Sequence, residues 1–174
     1  MAAAIDLNTP EMQDLRARIE AFELDDADAL FPFTRRLATE QGWSHAFAAR
    51  AVREYKRFLC LAVMAGHPAT PSEAVDQVWH LHLVYTKSYW HGLCRDVIGR
   101  ELHHEPTRGG TEEGGKFTDW YAKTLASYEK IFGESAPAEI WPAPAFRFAK
   151  PVSSRWVNVS RFWLIPRPSF FCRK

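Results

Sequence analysis

Histidines concentrate in one part of this chain, where six of the seven lie between residues 67 and 104. The densest stretch is Val-Asp-Gln-Val-Trp-His-Leu-His at positions 75–82. On a helix, Asp76 and His80 are four residues apart and share one face, the spacing used by helical metal sites and by carboxylate–histidine pairs. A third ligand must then come from elsewhere in the chain, and the available imidazoles are those of His67, His103 and His104.

The second histidine of the stretch faces another way. On a regular helix His82 points about 200° from His80 and falls on the apolar side with Val75 and Val78. We predict a neutral core histidine, hydrogen-bonded to a tyrosine or a backbone carbonyl. The alternative is an unwound helix in which both histidines bind one metal. Asp76 and His80 could also be a simple helix pair that adds a few tenths of a kcal/mol.

The sequence predicts that helices position these residues. N-cap residues, glycine stops and apolar residues spaced by three or four predict a mainly α fold. The predicted helices run from Pro10 to about Phe22, Pro32 to Gln41, Ser44 to about Ala65, the Thr70-Pro71-Ser72-Glu73 capping box to about Val97, and Gly115 to Phe132. The fourth is expected to break between Thr86 and Gly92, and residues 103–115 read as a loop. We therefore expect one compact domain of five or six helices over residues 1–141.

Residues 142–174 form a different segment, an extended tail rich in proline and aromatic side chains. It holds seven basic residues and no acid, which leaves a net charge of −6 on residues 1–141. Strand-favouring residues occupy 155–165. We expect the tail to pack on the acidic body or on a partner, and a protein or RNA is the partner that its charges and aromatic rings would suit.

Composition narrows the classes of protein further. With 174 residues and a net charge of +1, the chain fits one domain, and bulk charge gives no argument for nucleic-acid binding. Three widely spaced cysteines predict neither a disulfide framework nor a zinc knuckle. We see no secretory signal and no apolar run near the ~20 residues of a membrane span, so we expect a cytoplasmic protein. The glycine pattern predicts no nucleotide cofactor.

The central motif resembles that of the glycine-rich domain-containing protein-like family, known from plants and bacteria, and the chain looks like a bacterial-type member. The shared pattern is V-D-x-V-W-H-x-H, followed by Tyr89, Cys94, Gly99, a Leu-x-His element ending at His104, and a Phe-Gly-Glu turn at 132–134. It covers roughly residues 40–141. The resemblance implies that Asp76, Trp79, His80, His82 and His104 belong together, and it implies no reaction.

These observations lead to a metal-binding helical protein as the leading hypothesis, with a metalloenzyme of unknown reaction as its stronger form. The expected ligands of a Zn, Fe or Mn ion are Asp76, His80 and His104. Residues expected to surround the ion or to replace a ligand are His82, His103, Tyr89, Trp79, Cys94 and His67. The alternative hypothesis is a non-catalytic module for protein or RNA interaction, in which the motif is structural.

Overall fold

The structure is a computed structural model that describes residues 9–105 and 111–148, without the side chains of 111–115. The regular elements of its described residues are all helices, joined by loops, and include no strand. The helices are α1 Pro10–Ala21, α2 Phe33–Gln41, α3 His45–Met64, α4 Glu73–Val84, a π-helix Lys87–Ile98, α5 Thr111–Phe132 and the short α6 Pro144–Arg147. The predicted mainly α fold is confirmed. No helix within these ranges has the length and apolarity needed to cross a membrane.

Three helices begin at a capping side chain, and Thr9 and Ser44 are the caps that the sequence predicts. The predicted Thr70 cap is wrong: α4 starts two residues later, behind Ser72, and the Thr70 N–H bonds to the Thr124 hydroxyl of α5 at 3.0 Å instead. Thr9, Ser44 and Ser72 each accept a hydrogen bond from a backbone N–H three residues later, at 3.4, 3.2 and 3.3 Å. Each bond satisfies one of the backbone donors that a helix start leaves free. The Ser72 cap fixes where α4 begins, and so sets which of its residues face the core.

Helix α3 is the centre of the fold and packs against α1, α2, α4 and α5. Its buried side chains include Tyr55, Phe58 and Leu59, which are fully enclosed. Cys60 is buried beside them, and burial raises the pKa of its thiol to about 12. Cys60 is therefore a small core residue.

The predicted fourth helix is two elements separated by a break, and its helical region ends at Ile98, one residue from the expected end. Helix α4 ends at Val84, where Tyr85 leaves helical geometry with φ −82° and ψ 61°. The chain then enters a π-helix, whose i→i+5 hydrogen bonds widen each turn. The break falls one residue before the predicted 86–92 window. At this break the Tyr85 ring packs on the Phe33 ring of α2, with centroids 5.2 Å apart.

The predicted start of the last long helix is also wrong, because α5 begins at Thr111 rather than at Gly115. The glycines there lower helix propensity, but they do not stop the backbone from continuing the long helix that follows.

A buried charge network ties the end of the body to α3. The carboxylate of Glu54 accepts bonds from the Tyr128 hydroxyl at 3.0 Å and from the Trp141 indole N–H at 2.9 Å. Arg57 pairs with Glu54 at 3.4 Å and with Glu134 at 2.8 Å. Because Trp141 is only 2% exposed, the body includes the chain up to this residue.

The first residues of the predicted tail also pack on the helices. The Tyr121 hydroxyl donates to the Pro142 carbonyl at 2.8 Å, and Phe148 meets the Tyr121 ring edge-on at 5.8 Å. The predicted extended segment 155–165 lies outside the described residues.

Candidate metal centre

Asp76, His80 and His104 come together at the surface of α4. His104 Nε2 lies 2.8 Å from Asp76 Oδ1, and His80 Nε2 lies 3.8 Å from Asp76 Oδ2. The two imidazole rings face each other with centroids 4.6 Å apart. The side chains of His104 and Asp76 are 16% and 22% exposed, and that of His80 is 52% exposed. The Asp76 carboxylate thus lies beside both imidazoles, in a region that is partly exposed to solvent.

This arrangement fits a divalent cation with a modest adjustment. One potential ligand atom from each residue lies within 4.8 Å of the other two. Ligand atoms held ~2.1 Å from one tetrahedral ion lie about 3.4 Å apart, so the exposed His80 ring needs to turn inward by about an ångström. Asp76 is also in the first turn of α4, where the positive end of the helix dipole favours a carboxylate.

His104 reaches the helix because the chain reverses after the π-helix. Gly99 ends that helix in the left-handed region with φ 79°, a conformation that only glycine adopts freely. The Arg100 N–H then bonds to the Cys94 carbonyl at 3.1 Å. At the far end of this return, the His104 ring packs on the Trp79 ring with centroids 4.3 Å apart. Gly99 and Trp79 therefore direct the loop imidazole toward Asp76.

A buried hydrogen-bond chain fixes the returning segment to α4. The Trp79 indole N–H donates to the Tyr89 hydroxyl at 3.0 Å, and that hydroxyl donates to the Leu102 carbonyl. Burial raises the pKa of Tyr89, which keeps this donor protonated. The Cys94 thiol interacts with the Leu102 backbone N–H and with the Tyr89 hydroxyl, and burial raises its pKa as well. Both polar groups of the Leu102 main chain are thus held two residues before His104.

His82 lies in the core, away from the three clustered residues. Its Nδ1 is 3.0 Å from the Tyr55 hydroxyl and its Nε2 is 3.1 Å from the Ser88 hydroxyl. The rings of Phe22, Phe33 and Tyr89 enclose it. Burial lowers the pKa of His82 from 6.5 to about 4, so this imidazole is neutral at pH 7. The predicted tyrosine partner is present.

Two further histidines of the predicted set lie elsewhere. His67 bonds to the Ser127 hydroxyl through Nε2 at 2.7 Å, which joins the α3–α4 loop to α5. His103 is 63% exposed, pairs with Glu101 at 3.0 Å and faces the Trp90 ring. Neither is part of the cluster.

Sequence reasoning did not identify three partners of the motif by position. Ser88 and Tyr55 orient His82, and only the fold brings them together because Tyr55 is 27 residues away. The Leu102 main chain was also missed, since a backbone carbonyl leaves no signal in a sequence.

Comparison with known proteins finds a family and relatives whose matched ranges include these residues. A family model described as UCP032817-like matches residues 23–113. The chain is 28% identical over 158 residues to glycine-rich domain-containing protein 1 of Arabidopsis thaliana, covering 84% of this chain and 19% of that protein. It is also 28% identical over 109 residues to glycine-rich domain-containing protein 2 of the same plant, covering 59% of this chain and 14% of that protein. The chain therefore spans less than a fifth of the length of these curated relatives. No solved structure matches it significantly.

Proposed function

The chain belongs to the UCP032817-like family over a range that contains the whole cluster, and we propose that Asp76, His80 and His104 bind a divalent metal ion in it. The observation that carries the proposal is the pairing of one half-buried carboxylate with two imidazoles from separate elements. Two nitrogens and one oxygen form a donor set that Zn, Fe(II) and Mn all accept.

Three protein ligands leave part of the coordination sphere to water or substrate. Sites with three protein ligands and an open position are the arrangement of catalytic zinc and of non-haem Fe(II) enzymes. The half-exposed His80 ring keeps that position close to solvent. This favours a metalloenzyme over a purely structural ion, which is usually enclosed by four ligands.

The surroundings of the cluster support the same assignment. Ligating histidines normally have partners that fix the ring orientation. Here the His104 ring is held by the face of Trp79, and its backbone by the bonds of Tyr89 to Leu102. An ordered loop imidazole binds an ion at a lower entropic cost than one that must first be fixed.

Metal content of the purified protein and its variants tests the proposal. The wild type, stripped with a chelator and then titrated with Zn²⁺, Mn²⁺ or anaerobic Fe²⁺ in a calorimeter, should bind one ion per chain. His80→Ala should weaken binding at least tenfold while leaving the apo-protein folded, because the side chain is half exposed. His103→Ala is the matched control, an exposed histidine of the same loop that should bind normally. Absence of binding to the wild type, or equal binding by His80→Ala, would refute the proposal.

The alternative is an interaction module in which the motif has a structural role. The direct Asp76–His104 hydrogen bond at 2.8 Å favours it, since this bond closes the loop onto α4 without an ion. On this alternative, Asp76→Asn loosens residues 100–105 in a protein that never binds metal. The same titrations therefore separate the two functions.

A further inference from the structure

An open groove of about 660 Å³ lies where the α1–α2 loop meets the break between α4 and the π-helix. Its volume is within the range of ligand-binding clefts. One wall is the 23–33 segment and the other runs from Val84 to Ser88. None of the three clustered residues of the candidate metal centre lines it, so the groove is a separate feature.

Large apolar side chains are exposed around this groove. Leu30, Phe31 and Val84 are 96%, 39% and 74% exposed. They make up three of the four large exposed hydrophobics among residues 9–105 and 111–148, the fourth being Phe146. Phe31 and Val84 line the groove, and Leu30 adjoins it in the chain. Exposed apolar residues gathered at a groove rimmed by polar groups indicate a binding surface.

The same groove carries acidic residues on its loop wall. Four acids, at positions 23, 25, 26 and 28, fall within six residues that include no base, and all four are exposed. Lys56 approaches Glu23 only at 3.9 Å, and Lys87 is the one base among the lining residues. The guanidinium groups of Arg35 and Arg36 lie over the Phe31 ring, 5.6 and 5.2 Å from its centroid, so the negative charge is concentrated at the 23–28 part of the loop. Asp25 also accepts bonds from the backbone and hydroxyl of Thr34. A matching occupant therefore has apolar side chains flanked by positive charge.

The chain itself contains such a segment. At positions 161–167 it reads Arg-Phe-Trp-Leu-Ile-Pro-Arg, four large apolar residues with an arginine on each side. Residues 149–174 hold six basic side chains and no acid. We propose that residues 161–167 dock in this groove, with Phe162 and Trp163 against Phe31 and Val84 and the arginines beside the acidic loop.

Chain length permits this docking within one molecule. The 14 residues from 149 to 162 span up to about 46 Å when extended. A domain of about 140 residues has a diameter near 40 Å. A path over the surface of such a body to its opposite pole is about 60 Å long, so the segment reaches most of the surface from Phe148, though not the opposite pole. Docking covers apolar side chains of the groove and of the segment.

Disulfide trapping in the full-length chain tests the proposal. Cys172→Ser leaves only two cysteines, and both are buried. In that background, Val84→Cys with Leu164→Cys should form an intramolecular disulfide under mild oxidation, at a yield at least fivefold above a control pair. The control is Ala126→Cys with Leu164→Cys, because Ala126 is exposed on α5, away from the groove. Peptide mapping of non-reduced protein identifies the linkage.

A second pair of substitutions tests the charge match without touching the groove. Arg161→Glu with Arg167→Glu should lower the yield of the Val84–Leu164 linkage at least threefold, and high salt should lower the wild-type yield in the same direction. Equal yields at Val84 and Ala126, or no linkage at either, would overturn the proposal. A linkage found mainly between two chains would also overturn it, since the occupant is then a second copy.

Discussion

Replacing Tyr89 with phenylalanine removes one buried hydroxyl and no ring, so packing stays the same while two hydrogen bonds are lost. The hydroxyl accepts from the Trp79 indole at 3.0 Å and donates to the Leu102 carbonyl. The mutation leaves both groups unpaired in a region where water has little access, since Tyr89 is fully buried and Trp79 is 6% exposed.

The expected loss of stability follows from these two unpaired groups. An unpaired buried donor or acceptor costs ~1–3 kcal/mol, so with two such groups Tyr89→Phe should lower the free energy of unfolding by about 2–6 kcal/mol. For a chain of this size each kcal/mol shifts Tm by about 3 °C, which gives a fall of about 6–18 °C. Loss of an outer partner of a metal ligand lowers metal affinity by about 10- to 100-fold. We expect that effect here because Leu102 is two residues before His104.

Thermal unfolding followed by circular dichroism, together with calorimetric titration of the metal, measures both effects. Tyr121→Phe is the matched control. Its hydroxyl is also on a fully buried tyrosine and donates to a backbone carbonyl, that of Pro142, at 2.8 Å. We expect it to lower Tm while leaving metal affinity unchanged.

Two outcomes would refute this reasoning about Tyr89. If both variants lose stability and both keep wild-type metal affinity, the Tyr89 bond holds the fold and not the ligand. If Tyr89→Phe retains the wild-type Tm, the two bonds have no measurable strength. Failure of the wild type to bind metal is a different result, which refutes the metal proposal itself.

Two further predictions follow from buried polar groups. Because the pKa of His82 is lowered to about 4 from 6.5, the unfolded chain takes up the proton first, and the stability due to neutral His82 is lost as pH falls from 6.5 to 4. His82→Gln should therefore remove about 2 kcal/mol of the stability difference between pH 7 and pH 5, measured by urea unfolding with a chelator present; an unchanged pH dependence would contradict the burial argument. Trp141→Ala should cost ~3–5 kcal/mol, since it leaves a cavity where a large buried ring packed and removes one of the donors to Glu54. The exposed Phe146→Ala is its control and should stay within about 0.5 kcal/mol of wild type in the same urea measurement.

Local signals predicted the helices where a side chain decides the boundary. Thr9 and Ser44 begin helices because their hydroxyls bond to nearby backbone, an interaction within three residues. The end of α4 at Val84 was predicted only to within a few residues, as a break between Thr86 and Gly92, because no such signal marks it. The Tyr85 ring packs on Phe33, which is 52 residues earlier in the chain, and tertiary packing of this kind overrides the helical pattern.

The candidate site was also only partly predictable from the sequence. Helical periodicity separates an exposed His80 from a buried His82, and the structure has both as predicted. It cannot choose between His103 and His104, which are adjacent in a loop; the choice of His104 came from the resemblance. The contact of His104 with Asp76 depends on the turn at Gly99 and on the face of Trp79, neither of which is a periodic feature.

The contact between Asp76 and His104 spans 28 residues and encloses the whole π-helix. Joining two points of a chain lowers the entropy of the unfolded state, and it does so more for a longer loop. An ion held at both ends would therefore act as a removable cross-link around the Lys87–Ile98 segment. Helices of the π type are rare. We therefore expect the cross-link to stabilise this segment in particular. Metal supply would then set how often this part of the chain opens, and with it the exposure of the buried Cys94 thiol to oxidants.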